Sequence, residues 1–245
     1  AGPHSPADLV IFAVKDRHLD DAISQAEAVI APHTLIISVM NGLDSEERIA
    51  ERFSTGQVLL CVALGMDAER NGPEISFRQP GRLLVGESRN DPSSPGPAVR
   101  RVQQALDRAG LTWQTPADMD YQIWWKFMVN VGINQASALL RAPYGAFQPD
   151  GDARQLMFAL MDEVVSVAQP AGVDLGTDGR QAWSRVLATM PEQGWTSMAQ
   201  DVLAGRATEV EAFAGRVVAL GARYGIPTPY NQAALWILRA QEPTG

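Results

Sequence analysis

The sequence predicts an α/β domain with a partial Rossmann-like parallel sheet, followed by an all-helical domain. Two observations lead there. Up to about residue 115, short β-rich runs alternate with amphipathic stretches, the βαβαβ rhythm of parallel strands with helices packed on them. Beyond Pro116 strand signals nearly vanish and helical periodicity runs almost unbroken. The expected domains are 1–115 and 116–245.

The elements follow in order. Residues 9–14 (LVIFAV) read as a buried strand, and 20–30 as a helix with Ile23, Ala26 and Ile30 on one side. Residues 34–40 (TLIISVM) give a second strand. Asp44 stands at a helix start, with Glu47 at the capping-box position, and that helix runs to about Phe53. Residues 57–64 give a third strand. Residues 74–77 and 82–86 are expected to pair as a hairpin through Gln79-Pro80-Gly81. A helix over 98–109 ends at Gly110, and 111–114 is a short strand. Helices are then expected over 118–140, 154–168, 179–187, 197–203, 208–224 and 231–238.

Composition narrows the function. The 245 residues are 46% hydrophobic, ample for a packed core, and carry a net charge of −8. That balance, with a pI near 4.9, argues against the broad basic surface of a nucleic-acid binder. The single cysteine, Cys61, lies in the apolar run VLLCV, so no intrachain disulfide and no cysteine metal cluster can form. A reduced, cytoplasmic setting fits this, and Cys61 reads as a small core residue. No apolar run approaches the roughly 20 residues that span a bilayer. His4, His18 and His33 have no metal-ligand spacing.

The most informative segment is residues 121–137. At roughly 100° per residue, Lys126, Asn130, Asn134 and Ser137 fall within about 80° of one another, a polar stripe on a strongly apolar helix. One lysine with two carboxamides suits a cleft for a small oxygen-rich molecule. Periodicity alone fits a solvent-facing stripe equally well. In residues 195–211, Ser197 and Asp201 lie one turn apart and Thr208-Glu209 opens a new helix. Glu209 and Glu211 are equally at home in a first helical turn for the sake of its dipole. Lys15 follows the first strand, and Asn41-Gly42 follows the second. In an open parallel sheet ligands bind beyond the carboxyl ends of strands, although a plain turn or a solvated charge accounts for both positions as well.

A nucleotide-binding α/β domain opens with strand, G-x-G-x-x-G and helix, so that backbone N–H groups approach the pyrophosphate. No such cluster occurs in these residues. On that expectation the chain opens at what would be the fourth strand of such a domain.

The ordered set LVIFAVK, SVMNGL, WWKFMVNVGINQASAL, SMAQDVLAGRATEVEAF and GIPTPYN resembles the ketopantoate reductase (2-dehydropantoate 2-reductase) family from about residue 8 to residue 240. The resemblance implies NADPH-dependent reduction of 2-ketopantoate to pantoate on the route to coenzyme A. It also implies a C-terminal domain of the 6-phosphogluconate dehydrogenase C-terminal-like type. Residue by residue, Lys126 matches the catalytic lysine, and Glu209 the acidic residue that completes the active site. Asn130, Asn134 and Ser197 match substrate contacts, while Lys15 and Asn41 match positions near the nicotinamide. Asp201 matches the motif as a structural residue. The implied partner is a small 2-oxo acid, with neither nucleic acid nor membrane, and a homodimer is left open. Two other readings stand beside it: a reductase of another 2-oxo acid, and a non-catalytic remnant or interaction module that has lost NADPH binding. Without the glycine turn, the 245 residues alone are expected to bind NADPH poorly. Four lost charge-assisted hydrogen bonds at ~1.5–3 kcal/mol each weaken binding by about four to nine powers of ten.

Overall fold

The computed structural model describes residues 5–66, 69–71, 73–77, 79–176 and 178–242. The chain forms two compact units, Ala1–Ile123 and Trp124–Gly245.

The first unit opens with β1 (Leu9–Phe12), α1 (Leu19–Ala26), β2 (Leu35–Ser38), α2 (Ser45–Arg52) and β3 (Val58–Leu64). Strands β1, β2 and β3 are parallel, with Leu9 opposite Leu35 and Ile36 opposite Val58. Because side chains alternate along a strand, neighbouring residues serve opposite faces. Leu35, Ile37, Leu59 and Cys61 form one face. Phe12 and Ile36 form the other, covered by Leu19 and Ile23 of α1 and Ile49 of α2. Both faces of β2 are buried and β3 is buried or half-buried throughout, which is why they read as continuous apolar runs, whereas Ile11 of β1 is 43% exposed.

Strands β4 (Glu69–Asn71) and β5 (Glu74–Ser76) then pair with each other in a separate small ladder. Strand β6 (Arg82–Gly86) runs antiparallel beside β3, with Cys61 opposite Val85. This corrects the expected hairpin of residues 74–77 with 82–86. Gly81 supplies the reason. It adopts φ +67°, and a Cβ there would collide with the Leu64 carbonyl, so only glycine lets the chain turn back against the end of β3. The partner of β5 is the charged run Glu-Arg-Asn, which carries no strand pattern.

Helix α3 (Pro97–Arg108) begins with proline in its first turn and is followed by Gly110 at φ +68°. Its Val99, Val102 and Leu106 complete the core over Leu35, Leu59, Leu83 and Val85. Strand β7 (Trp113–Gln114) joins β6 in parallel, giving the sheet order β1-β2-β3-β6-β7. Below β3 and β6, Val62 and Leu84 pack on Met119.

Everything described after β7 is helical apart from turns and an isolated bridge between Arg89 and Asp118. Helix α4 (Met119–Val129) passes through a π-turn (Asn130–Asn134) into α5 (Gln135–Leu140). Then come α6 (Asp152–Ala168), α7 (Asp178–Leu187) and α8 (Ser197–Leu203). A second π-turn (Glu211–Gly215) leads into α9 (Arg216–Tyr224), and α10 (Pro229–Gln241) follows. A parallel-dominated sheet with helices on both faces, followed by a helical domain, is the predicted fold class. No described helix is long and apolar enough to cross a membrane.

Candidate active site

The helical unit is built around the path from α4 through the π-turn into α5. The unit's apolar residues bury one side of this path. Phe127 packs edge-on to Trp124 at 6.1 Å and to Phe213 at 6.5 Å between ring centroids. The Trp125 indole donates to the Gly179 carbonyl at 3.2 Å. Both tryptophans are thus structural within this unit. Gly132 faces α6 so closely that a Cβ would collide with the Met161 side chain and stand 3.0 Å from the Met157 carbonyl.

A π-turn holds one more residue than an α-turn, so it rotates everything after it by roughly one residue's 100°. The stripe expected from a regular helix is therefore split. Lys126 and Asn130 are half-buried. Asn134 is 8% exposed and Ser137 is fully buried. The Ser137 hydroxyl donates to the Ala142 carbonyl at 2.6 Å, and its carbonyl accepts from Arg141 and Ala142 N–H. Arg141 holds a left-handed φ of 48°, rare for a residue other than glycine. Ser137 thus ties off the helix end rather than extending the polar stripe.

The second segment packs beside this path. Thr196 caps α8, its hydroxyl accepting from Ala199 N–H at 3.2 Å. Ser197, the next residue, is exposed. Asp201 is 8% exposed, and its carboxylate accepts from the Arg206 guanidinium at 2.7 Å, closing the loop after α8. The chain then enters the turn at Thr208, whose N–H and hydroxyl both donate to the Glu242 carboxylate, at 2.9 and 2.8 Å. Glu209 is half-buried, and its carbonyl accepts from Phe213 N–H. Glu211 is instead an exposed partner of Arg239, at 2.5 and 2.7 Å.

Helix α8 contacts both α5 and the first π-turn, and the two π-turns contact each other. Asn130, Asn134 and Ser197 therefore lie on packed elements of one unit; Lys126 precedes Phe127, which packs on Phe213 of the second π-turn, and Glu209 lies two residues before that turn. In a π-turn some backbone groups leave the regular ladder, and such turns recur at functional sites.

A buried polar chain that the sequence reading did not single out underlies the first π-turn. Glu163, 7% exposed on α6, accepts from Tyr230 N–H and Asn231 N–H at the start of α10, both at 2.8 Å, and from the Asn231 carboxamide at 2.7 Å. The Asn231 oxygen accepts from the Gln135 carboxamide at 3.0 Å, and the same Gln135 nitrogen donates to the Val131 carbonyl at 2.9 Å. Asn231 opens the helix expected over residues 231–238. Its link to Glu163 spans 68 residues, which no local pattern signals.

In the first unit, Lys15 follows β1 and precedes a tight turn (Asp16–His18), which Arg48 holds through Asp16 at 2.8 Å. Asn41 follows β2 and precedes Gly42, which adopts φ 108°. Both residues are half-buried at the carboxyl ends of adjacent parallel strands, where an open α/β sheet takes ligands. A cation and a carboxamide there fit the polar nicotinamide end of a dinucleotide. No residue of this sequence supplies the glycine turn that seats a pyrophosphate.

The family model described as ketopantoate reductase PanE/ApbA matches residues 2–90, and the model of that family's C-terminal part matches residues 118–242. The 2-dehydropantoate 2-reductase of Aquifex aeolicus is 25% identical over 242 residues, which cover 96% of this chain and 76% of that protein. Among solved structures, a dimeric ketopantoate reductase from Staphylococcus aureus is similar with a TM-score of 0.84 and 24% identity, over 97% of this chain and 78% of that one. A D-mandelate dehydrogenase solved with NADH and anilino(oxo)acetate has a TM-score of 0.83 at 20% identity, over 97% and 77% of the two chains.

Proposed function

The chain belongs to the ketopantoate reductase family, and we propose on that footing that it reduces 2-dehydropantoate to pantoate with NADPH, in pantothenate and coenzyme A biosynthesis. The observation that carries this reading is the packing of Phe127, next to Lys126, on Phe213 just beyond Glu209, with the helix that bears Ser197 packed on the first π-turn, all in one unit. When bound, NADPH supplies the hydride to the keto carbon. Negative charge then grows on the keto oxygen, and the Lys126 ammonium stabilises it and delivers the proton. The Glu209 carboxylate orients the ammonium and balances its charge. Asn130, Asn134 and Ser197 hold the substrate's carboxylate and hydroxyl so that the carbonyl is presented in one orientation. Lys15 and Asn41 hold the nicotinamide end of the cofactor. The proposed setting is cytoplasmic.

A second reading keeps the chemistry and changes the substrate to another 2-oxo acid. The likeness in fold to a D-mandelate dehydrogenase favours keeping it in view. One experiment separates the readings: turnover with NADPH and with NADH, against 2-dehydropantoate and a panel of other 2-oxo acids. We expect the highest kcat/KM for NADPH with 2-dehydropantoate when these residues are assayed together with a glycine turn that seats the pyrophosphate, which the 245 residues themselves do not supply. A higher value for another acid moves the substrate assignment. Absence of turnover with every acid leaves the non-catalytic reading.

A further inference from the structure

We infer that Gln135, held by Asn231 and Glu163, is a positioning residue that fixes the first π-turn and so aims Asn130 and Asn134; the inference rests on the reading of those asparagines as substrate contacts. A π-turn interrupts the regular i to i−4 ladder and leaves carbonyls in need of other donors. Here the Gln135 backbone N–H goes to the Gly132 carbonyl. The Gln135 side chain turns back to donate to Val131, inside the turn. A flexible carboxamide holds such a bond only if its own orientation is fixed. The Asn231 oxygen fixes it, and Asn231 is oriented in turn because its nitrogen donates to the Glu163 carboxylate.

The direction of every bond follows from one end. An ionised carboxylate only accepts, so Asn231 must present its nitrogen to Glu163 and its oxygen to Gln135. Gln135 must then present its nitrogen, which reaches the Val131 carbonyl. Glu163 is also kept in place by accepting the first free N–H groups of α10, where the helix dipole favours negative charge. Gln135 and Asn231 are fully buried and Glu163 nearly so, and hydrogen bonds shielded from water are electrostatically stronger than exposed ones. The route thus runs from Glu163 on α6 through Asn231 at the start of α10 and Gln135 to the turn that begins at Asn130 and ends at Asn134.

The test uses two sets of variants in the protein. Gln135→Met keeps length and removes the carboxamide. Asn231→Asp puts a second carboxylate against Glu163 and breaks the chain. Adding Glu163→Gln to it restores a donor facing the new aspartate, with the direction of that side-chain bond reversed and the backbone N–H of residue 231 losing the oxygen it shared. We expect Gln135→Met and Asn231→Asp to raise KM for 2-dehydropantoate and Kd for pantoate about tenfold or more. Over the same comparison kcat should fall less than about threefold and KM for NADPH should stay within about threefold. The double variant should return the substrate KM to within about threefold of wild type. Hydrogen exchange of residues 130–135 should quicken at least tenfold in the single variants, with α3 unchanged. If Gln135→Met does not fold, the Asn231→Asp and double-variant pair decides by the same readings. Unchanged exchange and KM, or a loss of kcat and of both KM values in step with lost folded protein, overturns the inference. A wild-type protein that neither turns over 2-dehydropantoate nor binds pantoate sinks the substrate reading instead. In that case exchange at 130–135 alone decides whether Gln135 fixes the turn.

Discussion

Lys126 precedes Phe127, whose ring is clamped between Trp124 and Phe213, so its backbone position is fixed by packing before any ligand arrives. Such preorganisation is what a proton donor requires, because misplacement by a fraction of an ångström weakens it steeply. Lys126→Ala should lower kcat for keto-acid reduction by ~10²–10⁴-fold, the range for a positioned acid or base, with the melting temperature little changed. Near wild-type turnover in that variant would remove Lys126 from the proposed mechanism. Ser137 provides the contrast on the same helix. Its hydroxyl serves the Ala142 carbonyl beside the left-handed Arg141, so Ser137→Ala should cost about 1 kcal/mol of stability and leave the substrate KM within about twofold. A substrate KM raised tenfold, measured alongside denaturant unfolding, would return Ser137 to the binding site.

The π-turn is the element on which the proposed site depends, and Gly132 permits it to lie against α6. A methyl group at 132 must displace Met161 and meets the Met157 carbonyl, which the α6 backbone cannot easily withdraw. Gly132→Ala should therefore destabilise the protein by ~1–3 kcal/mol, the usual range for overpacking. At roughly 2–4 °C per kcal/mol for a chain of this size, calorimetry should show the melting temperature falling by about 2–12 °C. An unchanged melting temperature would mean that α6 is looser than the structure shows. Elements with strong periodicity were legible in advance. The helix over residues 97–108, with proline in its first turn and glycine beyond its end, is one; the run over 35–38 is another. The pairing of β5 was not legible, because its partner residues are charged and nothing local marks them as a strand.

At the scale of the whole molecule, the proposed substrate contacts all fall in the unit Trp124–Gly245, whereas Lys15 and Asn41 fall in Ala1–Ile123. The division predicts separable kinetic effects. Lys15→Ala and Asn41→Ala should raise KM for NADPH about tenfold or more, as expected for losing one hydrogen bond to a charged or strongly polar group. Asn134→Ala should instead raise KM for the keto acid by a similar factor and leave KM for NADPH nearly unchanged. Initial-rate measurements with each substrate varied in turn decide the matter. If Lys15→Ala leaves KM for NADPH unchanged, the proposed cofactor role of that strand end is wrong.

By itself the sequence determined the fold class and pointed to the family. Hydrophobic periodicity records locally which face of each element is buried, and the segments around Lys126 and Glu209 are distinctive in order and spacing. It also placed Lys15 and Asn41 beyond the first two strands, although both strands end two residues earlier than the apolar runs suggest. Only the tertiary structure decided how the Lys126 helix is wound. A π-turn is one extra residue in a turn, held by groups from α6 and α10, and regular spacing carries no trace of it. It likewise decided that Ser137 faces inward and that Glu163, Asn231 and Gln135 form one chain. Those contacts join residues up to 96 positions apart. Their energies depend on which polar groups the packed helices shield from water, and that shielding exists only once the helices have assembled.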